Sequence, residues 1–338
     1  MATIGTEFNV GDIMRAVDSS GSLYSVVDVI KNVNPFMQHM PWVEANEGMQ
    51  NKSAYLTSRP TPTAGRINKG TGFGKATQKL VADNVARIEL NNRVDERLIG
   101  MGLTDPAFDL AKWRFNQDKP IMGAFADAAV ELVFYGDEKN DGDEFNGVMP
   151  RYDALPADPY DQEDPAYNVL DGGGSGSDNT SVLVCRMNTE DGLCGIYPKG
   201  SKVGLDITDL GKQFLEDESN AGTYLTYYVT HFCWNMGIKI EDWRNVVRIA
   251  NIDVSDLMAG NGADLFSLTM DAVRRLPSED GAYILANREV IGEWSKQQRL
   301  TQEQFQIAGT DKYVPVTTLG GVPILRTDSL LLTESAVS

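Results

Sequence analysis

The sequence has few of the residues that most often carry catalysis or bind metals. Among 338 residues there are three cysteines and two histidines. An odd number of cysteines without paired spacing argues against a disulfide framework. Cys185 and Cys233 lie within apolar stretches, so we predict that both are small buried hydrophobic residues in a reducing compartment. A reactive thiol is the alternative interpretation.

Neither histidine belongs to a catalytic pattern. His231 and Cys233 would share one face of a strand, but positions two apart are separated by about 7 Å, which is too far for a direct hydrogen bond. We therefore interpret His231 as a satisfied core or interface histidine. The sequence has no Ser-His-Asp spacing, metalloprotease helix or Cys-x-x-Cys motif. We predict no catalytic, cofactor-binding or metal-binding residues and no cofactor, although catalysis by carboxylates stays open because Asp and Glu number 48.

Long apolar runs and excess positive charge are also missing. No stretch approaches the roughly 18 apolar residues of a membrane span, and the first ten residues lack the pattern of a secretion signal. The formal net charge of −18 argues against a dedicated nucleic-acid binder, because phosphate contacts require clustered Lys and Arg. Residues 137–164 hold ten acids and two bases, a net of −8. We interpret them as a solvated loop.

What the chain does contain is apolar sequence with clear periodicity. With 42% hydrophobic residues, it can bury a large core and divide into about two lobes. Residues 181–185 and 282–286 read as buried strands, and 223–234 as a long strand with neither face plainly polar. Pro198 and Gly200 fit a tight turn. Several further elements follow from spacing: a short helix ending at Pro35, helices over 104–136, 263–276 and 288–300, and a hairpin of 313–317 and 322–325 around Gly320-Gly321.

The helix predicted over residues 104–136 begins with Thr104 as its N-cap. Beyond Pro120, which should kink or restart the helix, an apolar stripe recurs at 3.6-residue spacing. The stripe consists of Ile121, Phe125, Ala128, Ala129 and Leu132. Gly136 is predicted to close the helix as a C-terminal cap. Further along, Arg244 and Arg248 are spaced one helical turn apart beside apolar neighbours.

Residues 42–82 are poor in large aliphatic residues and rich in Thr, Lys, Arg, Gly and Gln. Such a segment cannot bury enough apolar surface to fold alone, yet 53–57 and 71–75 favour strands. A projecting β-hairpin satisfies both observations, since its backbone pairs with itself while its side chains await a neighbouring molecule. A disordered loop is the alternative. Four basic residues in the segment are candidates for inter-subunit contacts: Arg59, Arg66, Lys69 and Lys75.

Two loop motifs are similar to ligand-binding motifs but lack residues that those motifs require. Residues 70–75 look like a phosphate loop, but Lys69 stands where a Walker loop needs glycine and Ala76 where it needs Ser or Thr. We attribute these glycines to the hairpin. A calcium loop beginning at Asp137 would place Lys139 and Val148 where oxygen ligands are required. Both stretches are therefore interpreted as loops without ligands.

Two phrases carry a family resemblance. Gly-Ile-Tyr-Pro-Lys-Gly-Ser at 195–201, and Asp-Trp-Arg followed by Arg-Ile-Ala-Asn-Ile-Asp within 242–253, resemble the major capsid proteins of short-tailed double-stranded-DNA bacteriophages. The resemblance extends over most of the chain from about residue 40. It implies an α+β fold of the Hong Kong 97 type, which has a peripheral lobe, an axial lobe, an extended hairpin loop and an N-terminal arm.

Applied to this sequence, the resemblance implies a set of boundaries. The N-terminal arm is expected at 1–41 and the extended hairpin, lying across an adjacent subunit, at 42–82. The peripheral domain is expected at 83–150 and 313–338, with a spine helix at 104–136, and the axial domain at 151–312.

The implied function is a structural subunit, not an enzyme, which self-assembles as pentamers and hexamers into the icosahedral head of a tailed bacteriophage. Scaffolding, portal and decoration proteins are the expected partners. Double-stranded DNA would be enclosed without sequence-specific binding, and no membrane is involved. The expected location is the virion, after assembly in the cytoplasm of the bacterial host. In that setting the acidic run 137–164 has a second interpretation, as a surface that repels packaged DNA.

Two alternatives stay open at this point. An encapsulin-type compartment shell would have the same fold and enclose enzymes. A soluble hydrolase or lectin-like binding module would act as a single folded copy, and its outlying strands would belong to its own core.

Overall fold

The computed structural model describes residues 35–65, 67–68, 70–97, 110–216, 222–300 and 318–338. Within them lie five helices: α1 (Phe36–His39), α2 (Leu110–Tyr135), α3 (Val254–Ala259), α4 (Leu265–Arg275) and α5 (Arg288–Leu300). None of these helices combines the length and apolar character that crossing a membrane requires. The short helix predicted before Pro35, residues 104–109 and the hairpin arm 313–317 lie outside the described residues.

Thirteen strands are present in the described ranges. They are β1 (Trp42–Glu44), β2 (Gln50–Ser58), β3 (Thr77–Asn84), β4 (Ala86–Asp95), β5 (Val169–Asp171), β6 (Asn179–Arg186), β7 (Leu193–Tyr197), β8 (Asp206–Glu216), β9 (Tyr224–Ile240), β10 (Val246–Asp253), β11 (Ala282–Ala286), β12 (Thr318–Leu319) and β13 (Val322–Arg326). Separate groups of strands and helices make this an α+β protein, as predicted.

Contacts divide the chain into two compact units. Among the described residues, the first contains 87–97, 110–129, 204–216 and 222–235, and the second contains 35–65, 67–68, 70–86, 130–203, 236–300 and 318–338. The predicted peripheral and axial lobes are defined by their places in a shell, which a single chain does not display. Their boundaries therefore stay a prediction.

The larger unit is organised around a six-stranded mixed sheet in the order β12-β13-β11-β6-β10-β5. Strands β6 and β10 are antiparallel, and seven of the eight residues of each are buried. Their apolar segments, Val182–Cys185 in β6 and Val246, Val247 and Ile249 in β10, fit strands covered on both faces. Helices α3, α4 and α5 contribute Leu257, Leu265 and Trp294 to the same hydrophobic core. The predicted burial of 181–185 is confirmed.

Local polar signals fix the ends of these elements. Asp253 accepts a hydrogen bond from the Asp256 amide at 2.9 Å and so caps α3, and Asp264 caps α4 through the Ser267 amide at 3.2 Å. In β10, Asn251 has a φ of +56° at a bulge between Ile249 and Ile252. Asn tolerates this left-handed geometry, and its side chain is held by Asp171 and the Val337 carbonyl at 2.9 Å each.

The spacing of Arg244 and Arg248 does not mark a helix. Trp243–Asn245 is a single 3₁₀ turn, and Arg248 lies in strand β10. The apolar neighbours of Arg248 belong to the two buried faces of this internal strand. The hairpin at Gly320-Gly321 is confirmed by its turn and by the pairing of β12 with β13, and both glycines have positive φ.

Helix α2 is continuous through Pro120, so the predicted restart is wrong, and the predicted kink stays a prediction. Proline has a helix-compatible φ, but inside a helix it removes one amide donor and crowds a carbonyl at a cost of about 3 kcal/mol, which the rest of the helix has to offset. Gly136 follows the helix, but it does not adopt the left-handed cap conformation. A Cβ there would lie 2.5 Å from the Phe145 carbonyl oxygen, so glycine is required by a close backbone approach. The buried helix residues include Val133 and Phe134 besides the predicted Phe125 and Ala129.

In the smaller unit, β8 and the first part of β9 form an antiparallel ribbon, from Asp206 opposite Cys233 to Glu216 opposite Tyr224. Strand β4 hydrogen-bonds to β9. Arg114 of α2 donates two hydrogen bonds to Asp209, both 2.9 Å long. This charge pair holds the pKa of the Asp209 carboxyl below its usual value.

Candidate assembly surfaces

The stretch predicted as a projecting hairpin contains a two-stranded ribbon, β2–β3. The strands pair from Gln50 opposite Asn84 to Ser58 opposite Thr77, with an irregularity near the far end. They form a sheet of their own, with no third strand among the described residues. Such a ribbon has no core of its own and is marginal in water without further packing.

Apolar side chains on this ribbon face solvent. Leu80 is 76% exposed and Leu56 43% exposed. Leu80 pairs with Ala54 and Leu56 with Gln78, so the two leucines are diagonal neighbours on one face. Phe73 and Ile67, in the connection between the strands, are almost fully exposed. A single copy of the chain therefore leaves this apolar face uncovered.

The glycine-rich segment 70–75 serves the ribbon's backbone. A Cβ on Gly74 would lie 2.5 Å from the Cβ of Pro60, so the two halves of the connection approach closely only with glycine here. The segment leads into strand β3, whereas a phosphate loop must lead into a helix. This supports the interpretation of the glycines as part of the hairpin.

The base of the ribbon is anchored in the larger unit by buried polar contacts. Asp83, at the end of β3, forms an ion pair with Arg151 at 2.8 Å. Burial raises the pKa of the Asp83 carboxyl, against the opposing effect of the Arg151 charge. Arg151 also donates to the carbonyl of Asn146 at 2.9 Å, and Asn84 donates to Glu138. The ribbon thus projects from a fixed base.

Sequence reasoning missed the contacts of β1 but predicted the turn after β7. Strand β1 is parallel to β7, with Trp42 opposite Gly195. A Cβ on Gly195 would lie 2.5 Å from the Trp42 ring, so glycine is needed for the indole to pack there. The predicted turn is confirmed: Ser201 donates its amide to the Pro198 carbonyl at 3.1 Å, and Gly200 has a φ of +79°.

Of the four basic candidates for inter-subunit contacts, two lie in the described part of the chain. Arg59 and Lys75 are exposed, on the connection beyond the paired part of the ribbon. Arg66 and Lys69 lie outside the described residues. Their partners on another subunit stay a prediction.

The acidic run 137–164 is organised mainly by its own side chains. Asp137 accepts from the Lys139 amide at 3.0 Å and from the Asn140 side chain at 2.8 Å. Asp161 and Asp164 accept from amides two residues further on, at 3.0 Å each. These local turns account for many Asp residues without a ligand.

A buried ion pair, also missed from the sequence, joins the C-terminal segment to the central sheet. Arg248 donates to Glu334 at 2.9 Å, with both side chains almost fully buried. Glu334 also accepts from Ser181 at 2.5 Å and from Tyr135 at 2.6 Å. Burial and the adjacent Glu334 charge raise the pKa of the Tyr135 hydroxyl, so it stays protonated and donates. The signal in the sequence was an arginine inside an apolar strand.

The three cysteines are free thiols and all are buried. The predicted burial of Cys185 and Cys233 is confirmed, and the reducing compartment stays a prediction. Burial raises the pKa of Cys185 to about 12, which makes it an unreactive thiol at neutral pH. His231 is half-buried, and its Nδ1 lies 2.7 Å from the Asn91 Oδ1, as expected for a satisfied histidine. The side chains of His231 and Cys233 lean together, however, and their ligand atoms lie within 4.8 Å, closer than the predicted 7 Å.

Comparison with known proteins places these surfaces in context. A family model described as major capsid protein GP7 matches residues 18–338. A chain of the bacteriophage Epsilon15 structure is similar over 100% of this chain and 99% of its own length, with 25% identity and a TM-score of 0.77. No curated protein sequence matches significantly.

Two further structures are more distant. The capsid of bacteriophage JBD30 has 11% identity, a TM-score of 0.44 and coverage of 89% of this chain and 93% of its own. The holo-SrpI encapsulin complex from Synechococcus elongatus PCC 7942 has 8% identity, a TM-score of 0.43 and coverage of 73% and 96%. At these TM-scores neither similarity contributes to the assignment.

Proposed function

The chain belongs to the GP7 family of major capsid proteins, and from this premise we propose that its copies assemble as pentamers and hexamers into the icosahedral head of a tailed bacteriophage. It has the Hong Kong 97-type capsid fold. As a capsid component it is part of the virion. The family is a structural one, and we assign the chain no catalytic role.

The observation that carries the assembly proposal is the β2–β3 ribbon with its solvent-facing leucines. Leu56 and Leu80 occupy one face of a sheet that has two strands within the part of the chain that the structure describes. Full burial of a leucine side chain is worth about 1.5–3 kcal/mol, and less here because both are already partly covered. A neighbouring subunit lying across this face would recover that energy, so the ribbon is built for contact with another copy.

The anchored base makes the ribbon suitable for transmitting load. Asp83 and Arg151 hold its end in the larger unit through an ion pair largely protected from water. A subunit in a pressurised shell has to spread force over many contacts, and several interfaces of about the standard 1,600 Å² per subunit would suffice. The ribbon enlarges the contact area without enlarging the core.

Exposed basic side chains add a second contribution to these contacts. We propose that Arg59 and Lys75, with Arg66 and Lys69, pair with acids on the next subunit. Each exposed pair is worth only about 0–1 kcal/mol. The charges therefore serve register and specificity, and the apolar face provides most of the affinity.

The finer assignments follow from the same proposal. The peripheral domain would comprise 83–150 and 313–338, the axial domain 151–312, and the N-terminal arm 1–41. Scaffolding, portal and decoration proteins are the proposed partners, with assembly in the host cytoplasm. Since the net charge of the chain is −18, we propose that the shell encloses double-stranded DNA without binding its sequence.

Electron microscopy of the purified recombinant chain tests the proposal. We expect closed shells, or hexamers and pentamers on the way to them. A chain that stays monomeric at high concentration, with the ribbon folded against its own body, would refute it. Shells that take up enzymes in place of DNA would favour the encapsulin-type alternative.

A further inference from the structure

Three side chains with different donor atoms meet on one face of the smaller unit. They are Glu89 from β4, and His231 and Cys233 from β9. One ligand atom of each, a carboxylate oxygen, an imidazole nitrogen and the thiol sulfur, lies within 4.8 Å of the other two. We propose that these residues form a binding site for Zn²⁺. Metal binding here would be a property separate from shell assembly.

The fold explains why the three groups converge. His231 and Cys233 are two positions apart in β9, so both point to the same face. Strand β4 is hydrogen-bonded to β9 and presents Glu89 beside them. The site therefore rests on two paired strands and needs no loop to close over it. Rigid elements of this kind hold ligands in place better than loops do.

The donor set suits zinc among the common protein metals. Zn²⁺ accepts thiolate, imidazole and carboxylate ligands together in tetrahedral geometry, whereas Ca²⁺ and Mg²⁺ require oxygen alone. Tetrahedral zinc ligands stand about 3.3–3.8 Å from one another. Rotation of the exposed Glu89 side chain narrows the remaining gap, while the His231 ring keeps its place.

The surroundings of His231 already have the form that a metal ligand needs. Its Nδ1 lies 2.7 Å from Oδ1 of the Asn91 side chain. Because an amide oxygen only accepts hydrogen bonds, Nδ1 carries the proton and donates it. The hydrogen bond fixes the ring and leaves Nε2 as the nitrogen with a free lone pair. Metal-bound histidines commonly have this second hydrogen bond, which orients the ring and raises its basicity.

The positively charged guanidinium of Arg87 contacts two of the three proposed ligands. Its Nε donates to the Cys233 sulfur at 3.2 Å, and it forms an ion pair with Glu89. The Arg87 side chain is 55% exposed and can turn into solvent. Zinc would replace the guanidinium between the same two ligands, which makes Arg87 a competitor for the site.

Binding balances in charge and protons. Zn²⁺ displaces the proton of the Cys233 thiol, which passes to solvent, and the thiolate and the Glu89 carboxylate together neutralise the ion. Water fills the fourth position on the exposed side. Asp206 lies opposite Cys233 in the register of β8 and β9, so its carboxylate is on the same face and adds negative charge nearby.

Titration of the full-length chain with Co²⁺ tests the site, because cobalt takes the place of zinc and absorbs visibly. After dialysis against EDTA, we expect one equivalent of Co²⁺ to produce thiolate-to-cobalt charge transfer and the strong visible bands of a tetrahedral site. Zn²⁺ should abolish both. Cys233→Ala should remove the charge-transfer band, and His231→Ala should weaken Co²⁺ binding at least tenfold.

Cys185→Ala is the matched control, because it removes a different buried thiol and should leave the titration unchanged. Arg87→Gln provides a test that does not depend on a core substitution: with the competing guanidinium gone, Co²⁺ affinity should rise severalfold. Circular dichroism confirms that each variant is folded, and all the readouts are independent of shell assembly. Absence of the charge-transfer band in the native chain, or its persistence in Cys233→Ala, would overturn the proposal.

Discussion

At the scale of single residues, sequence reasoning missed the positions whose role depends on a contact with residues further along the chain. Gly136 was predicted to cap a helix, and a glycine does follow the helix, but the reason is the Phe145 carbonyl nine residues further on. Arg248 stands one helical turn from Arg244 in the sequence, but it lies in a strand and its partner is Glu334, 86 positions away. Propensity and spacing report on near neighbours only, so such contacts could not be read in advance.

Gly136 gives a prediction with an internal control. Gly136→Ala places a Cβ 2.5 Å from one carbonyl oxygen and 2.7 Å from another, so backbone has to move. We expect a loss of about 1–3 kcal/mol in the free energy of unfolding. Gly142→Ala, in the following loop, meets no atom within 4 Å and has no positive φ. It should unfold like the native chain in urea, and equal effects of the two substitutions would contradict the explanation.

At the scale of elements, the sequence predicted whether a segment is a helix or a strand better than it predicted where that segment ends. Helix α5 occupies the predicted residues 288–300, and the strand at 282–286 is also found as predicted. The long strand predicted at 223–234 continues to Ile240 as β9. Its last residues pair with β7, and that long-range pairing extends the strand beyond its local aromatic and Thr-rich signal. The two-stranded ribbon was predicted from a conflict between strand propensity and a shortage of aliphatic residues.

Because the ribbon pairs only with itself, it can be shortened without opening another described sheet. Replacing residues 54–80 by Asn-Gly joins Ser53 to Val81, which already face each other, and keeps Asp83 with Arg151. We expect a folded chain whose urea unfolding resembles that of the native protein and which no longer forms shells by electron microscopy.

A short deletion in the acidic run 137–164 is its control. Removing two residues from the exposed turn Lys139–Asn140 should disturb neither folding nor shell formation. If the ribbon-deleted chain assembles normally, the ribbon has no part in the contacts between subunits.

At the scale of the whole molecule, composition excluded more than it assigned. Few cysteines and histidines and a net charge of −18 argued against a disulfide scaffold and a nucleic-acid binder. They did not reveal that Glu89 would lie beside His231 and Cys233, because that meeting depends on which strands pair. Family-level phrases at 195–201 and 242–253 predicted the capsid fold, which the family model and the Epsilon15 similarity confirm.

From the net charge of −18 we predict how the rate of shell assembly depends on salt. Like-charged subunits repel, and salt screens that repulsion over a Debye length of about 10 Å at 0.1 M. We expect light scattering to show faster shell formation as NaCl rises from about 0.02 to 0.2 M. The double variant Arg59→Gln, Lys75→Gln should assemble more slowly than the native chain at low salt, with a difference that shrinks as salt increases. Slower assembly of the native chain at higher salt would show that attractive ion pairs outweigh the repulsion.

The Arg248–Glu334 pair has a consequence for how subunits are made. During synthesis the guanidinium is in place long before its carboxylate partner emerges, so a chain that stops short of residue 334 carries an uncompensated cation in its interior. Leaving a buried charge in that state costs about 3–5 kcal/mol, a large part of the stability of an ordinary domain. We expect prematurely terminated products to remain unfolded and to be degraded. Defective subunits of this kind would therefore not be incorporated into a growing shell.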